Sequence, residues 1–196
     1  MSWIPERDEA LAFLRQYVTQ DSLLKHALAV EAVMRHFAGF FPDANPDEWG
    51  LVGLLHDLDY EQYPEQHCQM TAEILKGKDL EPRLLRAILS HGYGICTDIK
   101  PESDMEKVIY TVDELTGLVT ASVLMRPSRS ILDMELKSLK KKFKTPSFAA
   151  GVNRDVVRQG AEALGWELDR VLQETINGMT KAAASLGLDG SMNGKA

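Results

Sequence analysis

"GLLHDLDYE", residues 53–61, is the stretch that decides the fold. Gly53, Leu54 and Leu55 read as the last turn of a buried helix, and His56 and Asp57 stand side by side where the apolar run stops. Inside a helix, neighbouring residues point about 100° apart and cannot readily meet one ion. At a helix end the backbone turns away, and both side chains can. An imidazole and a carboxylate at the inner end of an apolar helix therefore predict a site there.

The same helical pattern extends in both directions. "NPDEWGLVGLLH" (45–56) opens with Asn45 as cap and Pro46 at the first helical position. Upstream, "PERDEALAFLRQYV" (5–18) carries acids in its first turn, and "DSLLKHALAVEAVMRHFAGF" (21–40) runs from an Asp21 cap to Gly39. Downstream, helices are predicted over "PEQHCQMTAEILKG" (64–77), "EPRLLRAILSHG" (81–92) and "SDMEKVIYTVDELTGLVTASVL" (103–124). Three more cover "RSILDMELKSLKKKF" (129–143), "NRDVVRQGAEALG" (153–165) and "WELDRVLQETINGMTKAAASL" (166–186). No alternating strand pattern competes. The expected fold is an all-α, single-domain helical bundle over residues 1–185, with its metal-binding core at about 20–125, its C-terminal helices at 126–185 and a flexible tail at 186–196.

The chain has 196 residues, 44% hydrophobic and 26% charged, with a formal net charge of -7. That charge disfavours a nucleic acid polymer as partner but leaves room for a small anionic substrate at a local positive site. Cys68 and Cys96 lie in no metal-ribbon spacing, so a reducing compartment is the default. The start reads as no signal peptide and no apolar run is long enough for a membrane helix, so a cytoplasmic protein without membrane contact is expected.

Five histidines are present. His26, His56 and His91 have apolar helical neighbours and should point inward, and His67 sits one turn before Met70, Thr71 and Ile74. His36 lies about 80° from His26 on the same helix and reads as an ordinary residue. Asp113 sits mid-helix among Ile109, Thr116, Gly117 and Thr120. A buried carboxylate there needs an arginine or a metal. A single inward histidine is more often a core residue than a ligand. Four histidines and two aspartates on the inner faces of separate helices instead suit one or two divalent transition-metal ions such as iron, manganese or zinc.

"HALAV" at His26, "HD" at His56–Asp57 and "DELTG" at Asp113 resemble the H…HD…D signature of the HD-domain metal-dependent phosphohydrolase superfamily, over about residues 20–125. "HCQMTAEIL" from His67 and "LLRAILSHG" ending at His91 are similar to the extra histidine pair of its binuclear members. The resemblance implies that His26, His56, Asp57 and Asp113 hold one ion, and that Asp57, His67 and His91 hold a second. It implies a hydrolase, a phosphomonoesterase or phosphodiesterase that attacks a small phosphorylated metabolite or nucleotide through metal-activated water. The same fold also hosts di-iron oxygenases, and a non-catalytic metal-dependent sensor is a third possibility. Where many members continue into glycine and lysine, this chain has Leu58, Asp59 and Tyr60.

Asp57 would bridge the ions, and Asp59 and Glu61 either serve the leaving group or are solvent-exposed acids. Lys137, Lys140, Lys141 and Lys144 fall on one helical stripe. They make a solvated face near a helix C-terminus, or else Lys140 and Lys141, with Arg129 or Arg154, meet substrate phosphate. Cys68 is expected to face away from the site.

Overall fold

The computed structural model describes residues 2–191, and those residues are helical with no strand longer than an isolated bridge. The elements are α1 (Arg7–Leu14), α2 (Asp21–Ala38), α3 (Pro46–Leu55), α4 (Gln69–Gly77), α5 (Pro82–Ser90), α6 (Asp104–Leu124), α7 (Leu136–Phe143), α8 (Arg154–Leu164), α9 (Leu168–Lys181) and α10 (Ala183–Leu186). The all-α single-domain expectation is met: one hydrophobic cluster runs from Ala10 to Leu188.

α6 is the axis. Its Val108, Ile109, Val112, Leu115, Leu118, Val119 and Val123 are all fully buried. Its start is fixed by a capping box, in which Ser103 accepts from the Glu106 amide and Glu106 reaches back to the Ser103 amide. α2 crosses α6 and also packs against α3 and α9, while α8 covers the opposite flank of α6 and α5 closes the end near α3. The cap expected at Asn45 forms, its side chain accepting from the Asp47 amide, and Asn153 caps α8 in the same way; Asp21, expected to cap α2, is instead its first helical residue and pairs with Lys25.

Three boundaries differ from the sequence expectation. The helix expected from Pro64 is a 3-10 turn over Pro64–Gln66 followed by a break, and α4 begins only at Gln69. The break is fixed by Asp59, whose carboxylate accepts from the Thr71 amide (2.8 Å) and faces His67 Nδ1 (2.8 Å). The helix expected from Arg129 starts at Leu136. The preceding turn is held by Asp133, which accepts from Arg126 and Ser128 at 3.1 Å each, and by the Ile131 amide donating to the Leu188 carbonyl at 2.7 Å. That long-range pair also packs the first part of the expected tail: Leu186 and Leu188 are buried and Asp189 bridges Ser130, while residues 192–196 lie outside the described residues.

α2 and α3 are in near backbone contact at Gly53. A Cβ there would lie 2.8 Å from the carbonyl carbon and oxygen of Val30 and from the Glu31 amide nitrogen. Gly53→Ala is therefore expected to lose about 1–3 kcal/mol of unfolding free energy through overpacking. Urea denaturation checks this, and wild-type stability would mean the two helices can part without cost.

Candidate metal centre

Five elements deliver side chains to one point. His26 comes from α2, His56 from the C-cap of α3, Asp57 from the turn after it, His67 from the break before α4, His91 from the C-cap of α5 and Asp113 from α6. The two C-cap histidines share a device. His56 Nδ1 donates to the Gly53 carbonyl at 2.8 Å, and His91 Nδ1 donates to the Ile88 carbonyl at 2.5 Å. Each ring bonds back onto its own last turn, which aims Nε2 inward and, in the neutral ring, leaves it free of a hydrogen. His67 is set by Asp59 through Nδ1, and His26 Nδ1 lies 3.4 Å from Thr116 Oγ1.

The inward atoms fall into two groups joined by one carboxylate. His26 Nε2 and His56 Nε2 are 3.2 Å apart; each lies near Asp113 Oδ1 (3.0 and 3.2 Å) and Asp57 Oδ2 (3.5 and 3.4 Å). His67 Nε2 and His91 Nε2 are also 3.2 Å apart, each 3.6 Å from the other oxygen, Asp57 Oδ1. Donors sharing one ion at bond lengths of about 2.05 Å are separated by about 2.9 Å in octahedral and about 3.3 Å in tetrahedral geometry. The His–His and His–Asp113 edges fall in that range and the edges to Asp57 are 0.1–0.3 Å longer, so the donor set suits two first-row divalent ions: four ligand atoms for one and three for the other.

The charges are arranged to match. Burial would push the Asp57 and Asp113 carboxyls up, but the facing imidazoles His56 and His26 outweigh it and hold both well below the usual carboxylate range. Burial would push His56 down, yet Asp57 and Asp113 raise it well above an ordinary imidazole. His91 is pushed down, by burial first and by His56 second, and is ready as a neutral ligand. About a fifth of the Asp57 and Asp113 side chains stays accessible, so the centre opens onto a cavity. That cavity is also lined by Tyr60, Gly92, Ile95, Glu114 and Val152. Glu114 gave no signal in the sequence beyond its place next to Asp113. Burial pushes its carboxyl up, while it accepts from the Asn153 amide at 2.8 Å.

Other expected site residues lie elsewhere. Asp59 is fully buried and orients His67 instead of facing the cavity. Glu61 turns to the start of α2, accepting from Thr19 Oγ1 (2.7 Å) and the Thr19 and Gln20 amides (2.8 and 3.0 Å). Arg154 gives its guanidinium to the carbonyls of Phe143, Thr145, Phe148, Ala149 and Val152. Lys140 pairs with Asp169 at 2.5 Å, and Lys137, Lys140, Lys141 and Lys144 line a separate surface groove. Arg129 lines a different cavity, one that shares His26 with the metal centre. His36 is tied to Glu174 and Lys181.

Cys68 does not face away. It is joined to Cys96, with Cα atoms 6.2 Å apart, and its sulfur lies 3.9 Å from His91 Nε2. Gly92 lets the pair pass, because a Cβ there would collide with both sulfurs. The expectation that Cys68 faces away from the site is thereby corrected.

No family model and no solved structure matches the chain. Among curated proteins it is similar to a tRNA (cytidine(56)-2'-O)-methyltransferase of Picrophilus torridus, 28% identical over 134 residues, which is 60% of this chain and 38% of the relative. The chain thus spans well under two thirds of that relative's length. This similarity overturns the HD-superfamily assignment and, with it, the phosphohydrolase reading and its oxygenase and sensor alternatives. The physical reason is that a histidine–aspartate pattern specifies what can be held, and does not specify the reaction. It also stands against excluding a nucleic acid polymer, since the relative's substrate is a tRNA. No helix of the described residues is long and apolar enough to cross a membrane.

Two measurements test the centre. Asp57→Ala removes the shared carboxylate and should strip both ions, whereas His91→Ala should leave about one ion per chain by elemental analysis. Two ions retained in Asp57→Ala would refute the shared-carboxylate arrangement. The second test is pH. Asp57 and Asp113 raise the proton affinity of His56, and a proton held there must leave before Nε2 can ligate. Apparent affinity should therefore weaken as pH falls below the raised His56 value, about tenfold per pH unit for each displaced proton, with proton release on loading into weakly buffered solution. Loading without proton release would contradict the His56 assignment.

Proposed function

We propose that the chain is a metal-dependent enzyme that acts on RNA. The observation that carries the metal half is the Asp57 carboxylate, one oxygen facing His26 and His56 and the other facing His67 and His91. The RNA half is supported by the similarity to a tRNA-modifying enzyme. Bound there, divalent ions would supply Lewis acidity, lowering the pKa of an oxygen they contact.

The chain's own groups have distinct tasks in this reading. His26, His56, Asp57 and Asp113 would hold one ion, and Asp57, His67 and His91 the other. Asp59 positions His67 and is fully occupied in doing so. Glu114 is the remaining carboxylate on the cavity wall, and its raised affinity for protons suits it to take a proton from a hydroxyl of bound RNA. Tyr60 stands edge-on to His67 at 5.1 Å and is half exposed at the mouth, where a base can stack on it. The net charge of -7 is not an obstacle if the ions carry the phosphate attraction.

Methyl transfer is the activity named for the relative as a whole, and no residue here is assigned to a methyl donor. The test is binding of a tRNA transcript to metal-free and metal-loaded protein at fixed low salt. Loaded wild type should bind roughly tenfold or more tightly than the metal-free form, and Asp57→Ala should resemble the metal-free form. Equal binding in all three, or none, would defeat the RNA reading while leaving the metal stoichiometry to stand on its own measurement.

A further inference from the structure

A second cavity, of about 470 Å³, lies between α2 and α6 and is bordered by the turn around Arg129 and the chain at Leu186–Leu188. Its walls are mostly apolar, with Ala29 from α2, Ala121 and Leu124 from α6, and Leu186 and Leu188 from the C-terminal segment. His26 and Gly117 line both this cavity and the one over the metal centre, so its inner end abuts a candidate ligand. A partly open, largely apolar volume of this size falls in the range of small-molecule pockets.

Its polar lining is Asp21, Ser22, Lys25, His26, Thr120 and Arg129, and these are unequal. Lys25 is neutralised by Asp21 at 2.7 Å. The Arg129 guanidinium has no hydrogen-bond or ion-pair partner among the described residues, although neighbouring Arg126 is paired with Asp133. Arg129 also holds a left-handed backbone (φ 43), a conformation that side-chain-bearing residues rarely adopt. The turn is fixed by Asp133 and by the Ile131–Leu188 backbone bond, so the arginine is presented at the cavity rim by a tied segment. An unpaired guanidinium beside an apolar volume is suited to a planar acidic group attached to an apolar body.

We propose that this cavity binds a small amphipathic organic anion, with its apolar body between α2 and α6 and its acidic group on Arg129. Of the four cations expected to meet substrate, this is the one that lines a cavity adjoining the metal centre. The inference does not depend on RNA being the polymer, and its test reads binding alone.

The probe is 8-anilinonaphthalene-1-sulfonate, an aromatic body with one sulfonate, titrated into the metal-loaded full chain. One site per chain is expected, weakened roughly ten- to a hundredfold by Arg129→Ala, the loss of one charge-assisted contact. The neutral analogue N-phenyl-1-naphthylamine should bind wild type and Arg129→Ala alike. Ala121→Trp, which fills the cavity from α6, should abolish both signals while helical content and metal content stay at wild-type values. Displacement by octanoate or by phenyl phosphate assigns the preferred acid as carboxylate or phosphate. Unchanged dye affinity in Arg129→Ala, or an undiminished signal in folded Ala121→Trp, would overturn the proposal.

Discussion

The carboxylate of Asp57 is the constraint around which the other elements are arranged. Its two oxygens face two imidazole pairs on opposite sides, so α2, α3, the α4 break and α5 must all converge on one residue. A partly buried carboxylate beside a second one, Asp113, is tolerable only if positive charge faces both. Without metal, the facing imidazole of His56, whose proton affinity the two carboxylates raise, can supply that charge; with metal it would be the ions. Metal binding at this site would therefore displace a proton from His56 and add positive charge between the two carboxylates.

Orientation is supplied by the backbone of the same helices. His56 and His91 each occupy a helix C-cap and each donates Nδ1 to a carbonyl three residues earlier, an acceptor left over where a helix stops. One hydrogen bond therefore satisfies an orphan carbonyl, selects the imidazole tautomer and aims Nε2. Gly53 contributes twice: its carbonyl holds His56, and its missing side chain lets α3 approach α2 closely enough for His26 and His56 to stand 3.2 Å apart.

Much of this was legible in the residues. Apolar periodicity located the helices, and the stop of the apolar run at His56 marked the site. The unread parts depend on distant contacts. Nothing local shows that Asp59 would cap α4 and seat His67, breaking a helix that Pro64 seemed to start, or that Glu61 would be drawn to Thr19. The Ile131–Leu188 pair likewise overrode a helical pattern from Arg129. Lysine spacing predicted one stripe on α7 correctly, but spacing carries no information about which groove a stripe faces. The reaction was the least legible of all, because ligand identity constrains the metal far more tightly than the chemistry performed at it.

His26 is where the two halves of the molecule meet. Its Nε2 belongs to the metal cluster, while its ring edge and the adjoining Gly117 form the inner end of the Arg129 cavity. Of the six candidate ligands, His26 and Asp113 come from the middle of helices, and the other four come from helix ends or breaks. Any group filling the cavity presses on α2 and α6, the two helices that carry those mid-helix ligands, before it reaches the others. Because a close-packed interior transmits displacement instead of absorbing it, the more rigid pair, His26 and Asp113, is the one through which the cavity and the centre can sense each other.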